Sequence, residues 1–141
     1  MHPNDPVTAA LAAYRDAVLA KDVDAFCALY DTDLHVFDLW GQWQHQGLAD
    51  WRAMAEGWFG SLGDEHVVVE FADVHADLAQ DLAVGHAFVR FSAQSAQGQT
   101  LRSLDNRLTL VMRRREGAWK IVHQHTSAPI EHASCKAMLQ R

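Results

Sequence analysis

RLTLVMRRREGAWKIVHQHTSAPI, residues 107–130, carries the pattern from which the architecture can be read. Leu108, Leu110 and Met112 recur at every second position ahead of Glu116-Gly117, and WKIVHQHTS resumes an extended period after it. Two such runs joined by a two-residue turn containing glycine predict an antiparallel hairpin. Toward the N-terminus, the same period governs HVVVEFADVH (66–75), DLAVGHAFVRFSAQ (81–94) and LRSLDNRLTLVMRR (101–114). The connectors around 77–80 and 96–99 are short, so the four strands form an antiparallel meander; parallel pairing would need long crossovers.

Before His66 the period is helical. Asp5 is placed as an N-cap and Pro6 at the first helical position of a helix over about 6–20, with Val7, Leu11, Tyr14 and Val18 on one face. Asp22 caps a second helix carrying Val23, Phe26, Cys27 and Tyr30 at helical spacing, predicted to end before Asp33. Leu34 to Asp38 reads as a short strand, and 39–46 as a loop rich in Gly, Gln and Trp. A third helix sets Leu48, Trp51, Ala55, Trp58 and Leu62 on one side and stops near Gly60 and Gly63. Three helices followed by a long antiparallel sheet predict one α+β domain over 1–141, a curved sheet wrapped over its helices.

Composition narrows the function. About half the residues are apolar and a fifth charged, an ordinary globular balance, and the net charge of -6 opposes a phosphate backbone. No nucleic-acid partner is expected. No apolar run reaches the length of a membrane span, and the N-terminus lacks a basic start followed by an apolar stretch, so a cytoplasmic setting is expected. Cys27 and Cys135 have no spacing suggestive of a disulfide framework or zinc site. No metal or cofactor is expected. Four of the five tryptophans, Trp40, Trp43, Trp51 and Trp58, crowd into one short segment, as core or as cavity wall.

The candidate chemistry lies on three segments. Ser103, Asp105, Arg107 and Thr109 form a polar strand face, for which two environments are open: solvent, or a polar cavity under a curled sheet. With a two-residue turn at Glu116-Gly117, Arg107 lies opposite Thr126 and Thr109 opposite Gln124, giving a polar patch across both strands. The same register puts His123 and His125 beside Leu108 and Leu110; a turn one residue longer reverses it. Those two histidines are expected to be satisfied at a subunit interface, and His35, His45, His75, His86 and His132 are scattered without assignment. Leu108, Leu110, Met112, Ile121 and Trp119 make an apolar row, expected on the outer sheet face as the contact of a homodimer. Asp38 ends the first strand beside Trp40 and Trp43; a carboxylate among apolar rings is raised toward the range useful for proton transfer, and the same residue can instead cap the loop.

The run AAYRDAVLAKDVDAFCALYDTDLHVFDLWG (12–41) resembles the opening of ketosteroid isomerases, with Tyr14, Asp38 and Gly41 at matching spacing. The run 107–130 is similar to the ends of SnoaL-like proteins and of the association domain of calcium/calmodulin-dependent kinase. These resemblances imply a nuclear-transport-factor-like (cystatin-like) α+β barrel, cone-shaped. They also imply Asp38 as a proton shuttle, with Tyr14 holding the developing oxyanion. Asp105 matches the isomerases' second acid by local similarity, and Arg107 competes for that slot, where it would bind an anion. The implied protein is a small-molecule pocket protein, an isomerase, cyclase or dehydratase without cofactor. Asp38 and Tyr14 are its catalytic residues; Arg107, Asp105, Trp40, Trp58, Gln124 and Thr126 contact an anionic or hydrophobic ring ligand. The alternative is a non-catalytic binding or oligomerisation module resembling the kinase association domain.

Overall fold

Asp5 caps the first helix, accepting from the Thr8 backbone N–H at 2.7 Å, with Pro6 opening α1 (Pro6–Ala20) in a computed structural model that describes residues 5–141. The first four residues, on which the reading of the N-terminus partly rests, lie outside the described residues. Val7, Ala10, Leu11, Ala17 and Val18 form the buried stripe of α1, and Lys21 ends it in the left-handed region. Asp22 caps α2 (Val23–Cys27) through the Ala25 N–H. The second helix is shorter than its periodicity suggests. Tyr30 does not belong to it but begins β1 (Tyr30–Phe37), because Tyr30 pairs with Ile121 and the Leu29 carbonyl accepts from the Ile121 N–H at 2.8 Å. Sheet pairing overrides local spacing there.

The chain continues through β2 (His45–Gln46), α3 (Leu48–Ser61), β3 (His66–Leu78), β4 (Leu82–Gln94), β5 (Thr100–Arg115) and β6 (Ala118–Ser127). The sheet order is β2-β1-β6-β5-β4-β3, so β3 to β6 form the expected meander. Two features depart from expectation. β1 runs parallel to β6, which the long stretch of chain between them permits, and the curved sheet stays open, with β2 and β3 at its edges rather than a closed barrel. A break in register between Ala72 and His75, with Asp73 at φ 54, bends β3. Gly85 on β4 lets α1 approach closely: a Cβ there would stand 2.5 Å from Val7 Cγ1.

The hairpin from β5 to β6 decides which face each functional side chain takes. Its turn is the expected two residues, with Arg115 paired to Ala118 and Met112 to Ile121. One extra residue is then accommodated in β6, so that Val111 pairs with His123, Leu110 with Gln124 and Leu108 with Thr126. Beyond this bulge every side chain of β6 changes face. Gln124 and Thr126 join Leu108 and Leu110 beneath the helices, whereas His123 and His125 join Thr109 and Arg107 on the outer face. The expectation that the histidines flank Leu108 and Leu110 is corrected accordingly.

So is the apolar row. Leu108, Leu110, Met112 and Ile121 are all buried in the chain's own core and Trp119 packs against it, so they do not supply a dimer contact. The helices cover this face, not the opposite one. The core centres on Phe26, whose ring lies 5.3 Å from Tyr14, 5.4 Å from Tyr30, 6.0 Å from Trp51 and 5.7 Å from Phe59. Among the described residues no helix is long and apolar enough to cross a membrane.

Candidate functional site

Between α3 and the inner sheet face lies a cavity of about 780 Å³, within the size range of small-molecule sites. Trp51, Met54, Trp58 and Leu62 of α3 and its end form one wall and Val67, Phe91 and Leu104 of the sheet another. Tyr14, Asp38, Gln124, Thr126, Asn106 and His45 bring polar atoms to this apolar chamber. The mouth carries Trp40 with Gly41 and Gln42 on one side and Arg102, Leu139 and Gln140 on the other.

Each polar group is placed by a local cause. Asp38 follows the last residue of β1, and its Oδ1 accepts from Thr126 Oγ1 at 3.0 Å; the same Oγ1 accepts from the Leu39 N–H at 3.1 Å. The strand end, the loop entrance and β6 are thereby tied at one hydroxyl. Tyr14 comes from the buried side of α1, between the rings of Phe26 and Phe71. Burial first, and the Asp38 charge second, push its phenol far above the ordinary tyrosine range, so it is a neutral hydrogen-bond donor at any physiological pH. Tyr30 is raised likewise, mainly by burial, and its hydroxyl donates to Gln124 Oε1 at 2.7 Å. That bond fixes the orientation of the Gln124 amide.

Tyr14, Asp38, Trp40, Trp58, Gln124 and Thr126 therefore share one cavity. Arg107 and Asp105 do not. Arg107 alternates with the inward Leu108 and so is exposed on the outer face; the bulge in β6 pairs it with Ser127 rather than with Thr126, and its Nε donates to Ser127 Oγ at 3.1 Å. Asp105 shares that outer face, accepting from Arg90 Nε at 2.8 Å and from the Arg141 backbone N–H at 2.8 Å. Asn106, one residue on, takes the inward position. Trp43 is 97% exposed and contributes nothing to the chamber, whereas Trp51 does.

The hydrogen bonds from Arg90, with help from Arg141, hold the Asp105 carboxyl below its usual value of 3.8 against the opposing effect of desolvation. A carboxylate with a depressed folded-state pKa stabilises the fold above its unfolded-state value and loses that contribution as pH falls through the folded-state one. Asp105→Asn is expected to lower the melting temperature by a few degrees at pH 7. Melting curves of parent and variant should converge as the pH drops below 3.8; a gap that persists unchanged in acid would remove the ion pair as its cause.

Sequence reasoning missed His45, Asp50, Asn106 and Arg102. His45 stands on β2 opposite Val36, and Gly47, at φ 83, turns the chain directly into α3, whose first turn carries Asp50. The available signal was a histidine and an aspartate straddling a glycine at a helix start. Asn106 could have been found only by choosing the correct face of β5.

Known proteins share this architecture. A search of curated proteins found no match. A protein of unknown function from Pseudomonas putida KT2440, described as NTF2-like, is 26% identical, with a TM-score of 0.84 over 96% of this chain and 92% of its own. Aln2 from a Streptomyces species is 15% identical with a TM-score of 0.75, over 86% and 87%. A Xanthomonas campestris protein described as a candidate calcium/calmodulin-dependent protein kinase II association domain is 20% identical with a TM-score of 0.70, over 93% and 99%. At such identities the last two show a shared fold alone. The family match covers residues 7–131, and with that span the chain belongs to the SnoaL-like domain family.

Proposed function

We propose that the protein is a cofactor-independent enzyme that moves a proton next to the carbonyl of a small ring compound, as an isomerase, cyclase or dehydratase does. One observation carries the proposal: the Asp38 carboxylate, oriented by Thr126, and the permanently protonated Tyr14 hydroxyl face one largely apolar chamber. Asp38 takes the proton from the α-carbon, and Tyr14 donates a hydrogen bond to the oxygen on which charge develops. Trp58, Phe91 and Met54 hold the ring. The anionic-ligand version loses its main support with Arg107 outside, and Arg102 at the mouth is already engaged by Glu65 at 2.6 Å. A cytoplasmic setting remains part of the proposal.

The test is solvent exchange. In D2O, cyclic enones and β-keto compounds should gain deuterium at the α-carbon faster with protein than without, as read by mass spectrometry. Exchange at the buffer rate across the panel would count against an enzyme of this kind.

The second reading, an assembly module, keeps one observation in its favour. His35, Phe37, His123 and His125 form a contiguous ring cluster on the outer sheet face, with centroids 4.9 to 6.0 Å apart. A homodimer through this face is proposed in place of one through the buried apolar row. Light scattering should give twice the 15.8 kDa chain mass, and Phe37→Asp should halve it. A parent mass of one chain at tens of micromolar would eliminate this contact.

A further inference from the structure

Two hydrogen-bond donors reach the cavity with nothing in the chain to receive them. Gln124 lies on the inner face of β6, is 4% exposed and lines the chamber. Its Oε1 accepts from the Tyr30 hydroxyl at 2.7 Å, whereas its Nε2 makes no hydrogen bond among the described residues. Three unpartnered side-chain atoms are sealed from solvent altogether, namely His45 Nδ1, Trp51 Nε1 and Asn106 Oδ1. Gln124 Nε2 is not one of them, so it keeps open surface, and that surface faces the chamber. The Tyr14 hydroxyl stands likewise, unbonded and open.

The direction of the Gln124 amide is set by the core behind it. Tyr30 is 2% exposed, and Gln124 Oε1 is its one acceptor among the described residues. Trp51, edge-on to Tyr30 at 5.8 Å, brings its N–H near the same phenol oxygen without the alignment of a full bond. Reversing the amide would turn a second N–H toward that oxygen and strand the phenol proton, leaving a buried group unsatisfied. The amide oxygen therefore stays on Tyr30 and the NH2 on the cavity side. Asn106 brings an amide to the same chamber, but with its Oδ1 buried and unpaired nothing fixes which end it presents.

The register sets this donor beside Asp38. Val36 pairs with Gln124 and Phe37 with His125, so Asp38 comes level with Thr126, to which it is bonded. Gln124 and Thr126 are two residues apart on one strand face, about 6.6 Å at the usual rise. A base about 3 Å from an α-carbon and a donor about 3 Å from the oxygen two bonds away need a span of that order. Tyr14 approaches from α1, near enough to Asp38 and to Tyr30 for charge on one to bear on the others. Tyr14, Gln124 and Asp38 therefore surround one part of the chamber.

We propose that Gln124 Nε2 is a catalytic donor that shares the developing oxyanion with Tyr14, and that Tyr30 is its positioning residue. The catalytic part of this statement rests on the proton transfer assigned to Asp38. The α-carbon proton passes to the Asp38 carboxylate while the electron pair of that C–H bond shifts onto the carbonyl oxygen. The Tyr14 O–H and the Gln124 N–H both tighten on this oxygen, and neither gives up its own proton. Return of the proton from Asp38 to carbon restores the carbonyl.

Binding of two probes to the full chain carrying Asp38→Asn tests the donor apart from turnover, the uncharged amide standing for the carboxyl once it has taken the proton. One probe, 4-nitrophenolate, imitates the oxyanion; the other, 4-nitrotoluene, is the same ring without it. Both are followed by tryptophan fluorescence at a pH where the free phenol is ionised. Gln124→Leu alone would strand the Tyr30 hydroxyl, so it is combined with Tyr30→Phe, which removes both partners together. The combined change should weaken 4-nitrophenolate about tenfold or more and leave 4-nitrotoluene within about twofold, the latter showing that the cavity is still formed. Tyr30→Phe by itself keeps the donor but frees it, and should cause a smaller loss. With Asp38 intact, the combined change should slow deuterium exchange by about 10²- to 10³-fold. The inference is overturned if 4-nitrophenolate fails to bind, or if the combined change weakens both probes alike or neither; exchange by the parent would then leave Asp38 standing without Gln124. Selectivity that is lost with Gln124, in a chain whose parent shows no exchange, would keep Gln124 as an oxygen-binding group and sink the proton-transfer role of Asp38.

Discussion

Asp38→Asn is expected to reduce α-carbon deuterium exchange by about 10²- to 10⁴-fold, the usual contribution of a positioned general base. The substitution is nearly isosteric. The amide oxygen can still accept from Thr126 Oγ1, so the tie between Thr126 and the Leu39 N–H survives and the loop keeps its entry. Ligand affinity should change little, because the loss falls on the step that moves the proton. Stability should hold or rise slightly, since a catalytic carboxylate in an apolar chamber is retained at some cost to the fold. The competing role is structural. If Asp38 serves only to cap the loop, the melting temperature falls and exchange proceeds at the parent rate. Thr126→Val is the matching control, because it breaks the tie while leaving the carboxylate in place. It should lower both stability and exchange, the latter by less than Asp38→Asn does.

Phe26→Ala is expected to be the most destabilising single change among the core residues, by about 3–5 kcal/mol in urea unfolding. Phe26 is 0% exposed and is the shared neighbour of Tyr14, Tyr30, Trp51 and Phe59, so no single element can move in to fill the space it vacates. Its short helix α2 has five residues and one cap, too few to persist without that packing. Against a typical total of about 5–15 kcal/mol, the loss takes a large share of the fold's stability. Function should suffer before unfolding does, because Tyr14 and Trp51, two walls of the cavity, lean on this ring. A loss under about 1 kcal/mol would show that the cluster relaxes and that the site is held elsewhere.

Legibility in the sequence tracked the range of the interactions. The caps Asp5 and Asp22, the limits of α1 and α3, the four meander strands and the two-residue turn at Glu116-Gly117 were all readable, because each is a matter of neighbours within one helical turn or one strand period. Tyr14, Asp38, Trp40 and Trp58 could be proposed together from spacing and resemblance, and the cavity does contain all four.

What the local pattern could not decide was facing. One bulge in β6 sends Gln124 and Thr126 inward and puts His123 and His125 outside with Arg107, while Leu108, Leu110 and Ile121 lie inside because the helices cover their face of the sheet. A side-chain period of two makes such a one-residue slip reverse every position beyond it, and nothing in the residues around Val122 marks where the slip occurs. The same limit hid His45 and Asp50, which meet only because β2 pairs with β1 and Gly47 turns the chain into α3. The elements, their order and the helix-over-sheet architecture were set by local propensity and hydrophobic period, and so could be read along the chain. Which polar residues share the cavity was settled only on folding, because register, bulges and parallel pairing depend on contacts between segments far apart in the chain.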